Sequence, residues 1–122
     1  MTKRNPNARP FAPALDVRRP IRKFWMSPEL HAAIAAYASD NRTTTSELVR
    51  EALVDVLRDP LDESAMTAYD EPSSSNSVSA AVDDELYYGA KDAAYPTRKS
   101  LTSLVRRRLL LRLERAGVWD AA

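Results

Sequence analysis

Residues 29–57 read ELHAAIAAYASDNRTTTSELVREALVDVL, and residues 85–113 read ELYYGAKDAAYPTRKSLTSLVRRRLLLRL. The two runs align without a gap at an offset of 56 residues, and 9 of the 29 aligned positions are identical. The identical pairs are Glu29/Glu85, Leu30/Leu86, Ala38/Ala94, Arg42/Arg98, Leu48/Leu104, Val49/Val105, Arg50/Arg106, Leu53/Leu109 and Leu57/Leu113. A fixed offset over helix-sized segments indicates one supersecondary unit used twice. Because each unit is too small to bury a core alone, we expect the two to share one.

The first run has the pattern of two helices joined by a short turn. Ser27 and Pro28 predict the start of the first helix, as a hydroxyl cap followed by proline. Asn41 is expected to take the left-handed conformation that ends this helix. Thr43 or Thr44 is expected to cap the second helix, and Pro60 to end it. The apolar positions of that second helix are Leu48, Val49, Ala52, Leu53, Val56 and Leu57.

The second run predicts the same two helices with weaker signals. Asp83 or Asp84 is expected to cap the first of them, and Ser100 the second. Gly117 is the expected stop of the last helix, with Val118 or Trp119 folding back onto its final turn. The expected core positions of that helix are Leu101, Leu104, Val105, Leu109 and Leu113, with Leu110 and Leu111 beside them.

A short alternating segment precedes each pair of helices. The segments are IRKFWM at residues 21–26 and SVSAAV at residues 77–82. Alternation with a period of two predicts strands, with Phe24 and Met26 facing the core in the first and Val78, Ala80 and Val82 in the second. A lone strand of this length is not stable. We therefore expect the strands to pair as a two-stranded antiparallel ribbon over a four-helix core.

Composition divides the chain into four parts. Residues 1–20 contain four prolines and predict a disordered basic arm, residues 21–58 form copy 1, residues 59–76 an acidic Ser/Pro-rich linker, and residues 77–122 copy 2. The net charge of +1 hides a segregated distribution: residues 1–23 carry seven basic side chains against one acidic, and residues 24–85 carry three against thirteen. With no cysteine, no apolar run of membrane-spanning length and no signal-like segment, we expect a soluble cytoplasmic protein without a membrane partner.

Each copy resembles a ribbon–helix–helix unit of the Arc/MetJ-like DNA-binding superfamily. The resemblance lies in the alternating strand, FWMSPEL at the entry to the first helix, and TTTSELVREAL at the start of the second. The two-copy arrangement is similar to that of TraY-like accessory proteins of plasmid transfer. The resemblance implies a mainly α fold with a short two-stranded antiparallel β-ribbon, in which the tandem copies form an intrachain pseudo-dimer. It also implies double-stranded DNA as the partner, bound by a monomeric pseudo-dimer or a higher homo-oligomer, and hence a nucleoid-associated protein.

The resemblance transfers base reading to the outward side chains of the ribbon, because such a ribbon fits the major groove. These side chains are Ile21, Lys23, Trp25, Ser77, Ser79 and Ala81. Phosphate binding is expected at the start of each second helix and just before the ribbon. The residues concerned are Arg18, Arg19, Arg42, Thr43, Thr44, Thr45, Arg98, Lys99, Ser100 and Leu101.

Two groups of side chains leave alternatives open. Trp25 can pack on a thymine methyl group or cover the rim of the core. Arg108 and Arg112 replace Ala52 and Val56 at positions that approach the core. They and the neighbouring arginines (Arg106, Arg107 and Arg115) can extend to solvent, pair with acids of copy 1, or hold DNA.

The sequence gives no support for catalysis, a metal site or a cofactor. His31 is the only histidine and is expected at the surface, and Gly89 and Gly117 are the only glycines, too few for a phosphate-binding loop. We expect a sequence-specific DNA-binding protein, either a transcriptional regulator (a repressor) or a plasmid-transfer or maintenance accessory factor. An alternative is a protein-interaction module, an antitoxin or assembly factor, that binds a protein partner through residues 59–76 and the last helix. A third is a nonspecific architectural protein that depends on the basic arm.

Overall fold

The computed structural model describes residues 19–60 and 76–119. Their elements run β1 (Ile21–Trp25), α1 (Pro28–Asp40), α2 (Thr45–Arg58), β2 (Ser77–Ala81), α3 (Asp84–Ala94) and α4 (Leu101–Arg115), with a 3₁₀ turn at Tyr95–Thr97. The described chain is therefore mainly helical, with one two-stranded sheet. The predictions for residues 1–18, which include Arg18, and for residues 61–75 of the linker lie outside the described residues.

The two strands pair antiparallel within the chain. Lys23 lies opposite Ser79 at the centre of the ribbon. At its two ends the amide of Met26 donates to the Asn76 carbonyl at 2.9 Å, and the amide of Val82 donates to the Pro20 carbonyl at 3.1 Å. These end contacts are reciprocal, because each donor and each acceptor is displaced from the other by the 56-residue offset of the sequence repeat. Pro20 and Asn76, assigned by composition to the arm and linker, thus belong to the ribbon.

Each helix begins at a residue that the sequence predicts as its cap. The Ser27 hydroxyl accepts from the amide of Leu30 at 3.1 Å, and the Asp83 carboxylate accepts from that of Leu86 at 2.9 Å. Of the paired candidates, Thr44 and Asp83 are the caps, and Ser100 caps α4 as expected. Each such cap stabilises its helix by about 1 kcal/mol.

The turn after α1 differs from the prediction. Asn41 has φ −106° and is not left-handed, whereas Arg42 has φ 56°. Asn41 still closes the helix, since its backbone amide and its side-chain amide both donate to the Tyr37 carbonyl. The chain therefore reverses one residue later than expected. Arg98, the copy 2 counterpart of Arg42, also has a positive φ, of 63°.

One core lies between the ribbon and the four helices and contains most of the predicted apolar positions. Helix α2 packs behind β2, and α4 packs behind β1, so each second helix contacts the strand of the other copy. The fully buried large side chains are Phe24, Met26, Leu30, Ile34, Leu48, Val49, Leu53, Val56, Val82, Leu104, Val105, Leu109 and Leu113. Both copies thus contribute to the same core, as the size of each unit requires.

Leu57 is an exception to the predicted core. Its side chain is 44% exposed, whereas its copy 2 counterpart Leu113 is 1% exposed. The Leu57 side chain turns toward α3, where its Cδ1 lies 3.4 Å from the position that a Cβ on Gly89 would occupy. Its neighbour Val56 takes the core-facing position instead. Of the six apolar positions of this helix, Leu57 is therefore the one that lies outside the core.

The end of α4 follows the prediction. Gly117 has φ 77°, and its amide donates to the Glu114 carbonyl. The Val118 amide donates to the Leu113 carbonyl, while the Val118 side chain is 55% exposed. Trp119 is the residue that packs against the core. Glycine suits this stop because a positive φ is unstrained only without a Cβ.

Candidate nucleic-acid interface

The outward face of the ribbon carries all six predicted base readers. The antiparallel register sets them in three cross-strand pairs, which are Ile21 with Ala81, Lys23 with Ser79, and Trp25 with Ser77. In β1 these side chains are all exposed, while Phe24 between them is buried. In β2 Ser79 is exposed and Ser77 and Ala81 are half-buried. The predicted division of each strand into an inner and an outer face is confirmed.

The three pairs give the outward face a polarity along the ribbon. One end is apolar, with Ile21 64% exposed beside Ala81. The centre carries the Lys23 ammonium beside the Ser79 hydroxyl, and the other end carries an indole beside a hydroxyl. Because the two strands differ at every outward position, the face has no twofold symmetry of side chains, although its backbone contacts are reciprocal.

Two arginines fasten the ribbon to the helices behind it. Arg50 of α2 donates to the Ala81 carbonyl at 3.3 Å, and Arg106 of α4 donates to the Trp25 carbonyl at 3.0 Å. Both the donors and the acceptors are related by the 56-residue offset, so this contact too is reciprocal. The Ala81 amide donates in addition to the Ser46 hydroxyl at 3.1 Å. Hydrogen bonds that involve a charged group are among the stronger ones, so these contacts fix the position of the ribbon and of its outward face.

Sequence reasoning missed this role of Arg50 and Arg106. It grouped Arg106 with a cluster of arginines for which solvent, acids and DNA were all open as partners, yet the side chain is only 9% exposed. A signal was present, because Arg50/Arg106 is one of two arginine pairs that are identical between the copies. An arginine retained at a repeat position within a helix, next to core leucines, indicates a structural partner.

The backbone of Trp25 is bound by Arg106, while its side chain is partly exposed. Its carbonyl accepts the Arg106 bond, and its side chain is 42% exposed. The exposed part of the residue lies on the outward face opposite Ser77. Partial exposure is compatible with both roles left open for this residue.

The starts of α2 and α4 flank the ribbon, but their residues are unequal. The Thr44 and Ser100 hydroxyls serve as caps, accepting from the amides of Glu47 and Ser103 at 3.0 Å. The first-turn amides that a helix leaves without an intrahelical partner point toward its start, where an anion is favoured. Glu47 in the first turn of α2 adds a negative charge, and its counterpart in α4 is Ser103. The start of α4 is therefore electrostatically more favourable for an anion than the start of α2.

Several other predicted phosphate contacts are limited by bonds within the protein. The Thr43 amide donates to the Ala38 carbonyl at 2.8 Å, and the Lys99 amide donates to the Thr97 hydroxyl at 3.1 Å. Leu101 is 8% exposed, so only its backbone can serve. Thr45 is half-buried as the first residue of α2, whereas Arg42 and Arg98 are exposed at their left-handed positions. Arg19, just before the ribbon, is exposed as well.

Arg22 forms a contact that the sequence did not reveal. It lies on β1 between two outward residues, yet its counterpart in copy 2 is the buried Val78. Its guanidinium carbon lies 4.1 Å from the centroid of the Tyr87 ring and 5.2 Å from that of Tyr88, and one nitrogen forms an ion pair with Asp84. Stacking on aromatic rings lets an arginine cover apolar surface while its charge stays paired.

Of the three alternatives left open for the arginines of α4, pairing with an acid of copy 1 is found for Arg112. Arg112 forms an ion pair with Glu51, with 2.5 Å between the nitrogen and the oxygen, and Arg108 donates to the Asp59 carbonyl. Asp59 had been assigned to the linker.

His31, expected at the surface, is half-buried, and its Nδ1 lies 3.1 Å from the side-chain nitrogen of Asn76. His31 is therefore less exposed than expected, and one edge of its ring contacts the Asn76 side chain at the end of the ribbon.

Comparison of the chain with models of protein families, with characterised proteins and with solved structures gave no match. In the two described stretches, no helix combines the length and the apolar character needed to cross a membrane. The same stretches contain no group of three or more histidine, aspartate or glutamate side chains placed to hold a metal ion.

Proposed function

We propose that this chain is a sequence-specific double-stranded DNA-binding protein that reads the major groove with its β-ribbon. The observation that carries the proposal is the outward face, where all six predicted readers lie on one side of a two-stranded ribbon. A ribbon of this width enters the major groove, where each base pair presents a distinct pattern of donors and acceptors. The function would be that of a transcriptional regulator or of a plasmid-transfer or maintenance accessory factor.

The proposal includes the architecture that the sequence resemblance implies, a tandem ribbon–helix–helix pseudo-dimer of the Arc/MetJ-like type. Two sets of reciprocal contacts support it. The ribbon ends are closed by Met26 with Asn76 and by Val82 with Pro20, and the arginines of α2 and α4 each bind the strand of the other copy. Contacts that repeat at a constant offset in both directions are those expected of two halves related by an approximate twofold axis.

Each cross-strand pair of the ribbon suits a different feature of the groove. Lys23 at the centre suits the O6 and N7 acceptors of guanine, a contact worth about 1–3 kcal/mol of discrimination. The apolar pair of Ile21 and Ala81 suits thymine methyl groups. Trp25 adds a partly exposed ring at the other end, beside the Ser77 hydroxyl. The expected site is therefore non-palindromic.

The flanking helix starts supply the expected phosphate contacts. The start of α4 combines Arg98, Lys99 and a first turn without an acidic residue. At the start of α2, Glu47 lies in the first turn and forms an ion pair with Arg50. We expect α4 to anchor its side of the ribbon more strongly, because backbone amides, the helix dipole and two basic side chains act together there.

The alternative of a protein-interaction module receives less support from the last helix than its leucines suggest. Leu110 is 4% exposed and Leu111 is half-buried, so neither offers much open apolar surface. The described residues at the ends of the acidic segment, Asp59 and Asn76, bind within the fold. A pull-down with and without residues 59–76 tests this alternative, because loss of a protein partner with DNA binding intact would show a separate interaction site.

The test is selection of bound duplexes from random DNA, followed by measurement of the mass of the selected complex. We expect one enriched, non-palindromic sequence bound by a single 13.6-kDa chain or by a whole number of chains. Lys23→Ala should lower the ratio of specific to random affinity, and Lys91→Ala, an exposed lysine on α3, serves as the matched control. Failure to enrich any sequence would refute specific reading. Salt-sensitive binding without enrichment would favour the architectural alternative.

A further inference from the structure

The contacts between the two copies join positions that are not equivalent in the repeat. Arg22 contacts Asp84 and Tyr87, whose counterparts in copy 1 are Pro28 and His31. If copy 1 of one chain paired with copy 1 of another, the Arg22 guanidinium would therefore meet neither the carboxylate nor the tyrosines. Its side chain is only 19% exposed, and its Nε is buried without a hydrogen-bond partner. A guanidinium left there without its partners would be strongly unfavourable.

The ion pair formed by α4 also joins positions that are not equivalent in the repeat, and it disfavours the pairing of copy 2 with a second copy 2. Arg112 pairs with Glu51, and the counterpart of Glu51 in copy 2 is Arg107. A pairing of copy 2 with another copy 2 would therefore bring Arg112 toward an arginine in place of a glutamate. Like charges in direct contact across an interface are unfavourable and suppress the wrong partner.

Core volume adds a third difference, and it is independent of charge. Three buried positions carry a larger side chain in copy 1 than at the counterpart in copy 2, all of them at most 1% exposed. The pairs are Phe24/Ala80, Met26/Val82 and Ile34/Ala90. Two copies of the first kind would overfill the core, and two of the second kind would leave voids. Only the mixed pair combines large with small.

The centre of the ribbon carries a fourth difference. Lys23 and Ser79 are counterparts in the repeat and lie opposite each other in the register. In a ribbon made of two β1 strands with the same register, Lys23 would lie opposite a second Lys23. Like charges directly opposite in a strand pair are destabilising.

We propose that these side chains form a partner-selection surface, through which copy 1 accepts copy 2 and rejects a second copy of itself. Arg22 is the principal selector, because it alone combines low exposure, an ion pair and aromatic stacking. The partner is copy 2, normally that of the same chain. This inference rests on the pairing of β1 with β2 and does not depend on DNA binding.

Single cysteines in the ribbon report the pairing directly, because the chain contains none of its own. Cα atoms opposite each other in an antiparallel pair lie about 4.5–5.5 Å apart, within the range of a disulfide. Under oxidising conditions Lys23→Cys with Ser79→Cys should close a disulfide within one chain. Lys23→Cys alone should remain a single chain of about the parent mass, 13.6 kDa. A covalent dimer of the single variant, formed as readily as the internal disulfide, would overturn the proposal.

The selector is tested by Arg22→Ala in the Lys23→Cys chain. The substitution removes contacts that favour the mixed pair and also the buried charge that opposes the copy 1 pair. We expect the covalent dimer to increase about tenfold, the change that 1.4 kcal/mol produces. Arg58→Ala, an exposed arginine at the end of α2, should leave the dimer fraction unchanged.

The same Arg22→Ala change in the Lys23→Cys/Ser79→Cys chain shows whether the fold survives. An internal disulfide that still forms, together with an unchanged dimer fraction in the single-cysteine chain, would refute the role of Arg22. If neither disulfide forms after Arg22→Ala, the residue is needed for ribbon formation itself and is not a selector, which also refutes the proposal.

Discussion

Arg106→Ala tests whether the two repeat-related arginines stabilise the ribbon by binding the backbone of its strands. Arg106 is 9% exposed and donates to the Trp25 carbonyl at 3.0 Å. Hydrogen bonds to charged groups contribute about 1.5–3 kcal/mol, and truncation also leaves the carbonyl without this partner. We therefore expect a loss of roughly 2–3 kcal/mol in the free energy of unfolding, at the upper part of that range.

Arg50→Ala is the internal comparison, since its contact is the repeat-related one. Its bond to the Ala81 carbonyl is longer, at 3.3 Å, and its side chain is 26% exposed and paired with Glu47. Partial exposure allows water to replace the lost bond, so we expect a loss of about 1 kcal/mol. The order of the two effects follows from burial, although the residue type and the position in the repeat are the same.

Urea unfolding measures both losses. With an m value of about 1–1.5 kcal/mol/M, Arg106→Ala should lower the midpoint by about 2 M without changing the slope. Arg115→Ala, an exposed arginine at the end of α4, should stay within about 0.5 kcal/mol of the parent chain. In a Trp119→Phe background, where Trp25 is the only tryptophan, emission should shift to the red in Arg106→Ala as the ribbon edge loosens. Equal losses in Arg50→Ala and Arg106→Ala, or a loss below about 0.5 kcal/mol in both, would refute this reasoning.

Three further predictions concern the turns and the interface. Arg98→Gly should raise the free energy of unfolding by up to about 1 kcal/mol in thermal unfolding, because φ 63° is strained for arginine and free for glycine; a destabilised variant would contradict this. The double change Arg98→Ala/Lys99→Ala should reduce the magnitude of the slope of log affinity against log salt concentration by up to about 1.8, the value for two phosphate contacts. Arg42→Ala should reduce it by no more than about 0.9, the value for one contact. Equal slopes in all three chains would remove the helix starts from the interface. Replacing thymine by uracil under the Ile21/Ala81 end of a selected duplex should weaken binding about fourfold, the effect of one buried methyl group, whereas the same change outside the footprint should have none.

Features that depend on nearby residues were predictable from the sequence. The caps at Ser27, Thr44, Asp83 and Ser100 were found because a cap bonds an amide three residues away and needs no distant partner. The faces of both strands were found because alternation needs only the period of two. Asn41 failed by one residue, because which residue of a tight turn takes the positive φ depends on how the helix before it closes.

The pairing of the two distant strands was predictable from the repeat, but the side-chain contacts between distant residues were not, although their donors were visible. The Arg22 contacts join residues 62 and more apart in the chain, and the Arg106 contact joins residues 81 apart. Nothing near Arg22 in the sequence distinguishes it from the arginines of the arm. Leu57 failed for the same reason: its helical spacing matches that of Leu113, but a glycine on α3 leaves it a place outside the core.

The two proposals are connected by symmetry. Two identical chains that build one ribbon are related by a twofold axis and present the same outward residues from both strands. A single chain with two different strands escapes that constraint, so the Lys23/Ser79 pair can differ across the ribbon. This asymmetry lasts only while the pairing of copy 1 with copy 2 is more stable than the pairing of two identical copies. The Arg22 and Arg112 contacts favour the pairing of copy 1 with copy 2. If selection fails, a copy 1 pair would set two Lys23 side chains side by side and read a symmetric sequence. Arg22→Ala should therefore broaden the set of DNA sequences bound toward palindromes, whereas a variant that only loses affinity would leave the same asymmetric site enriched.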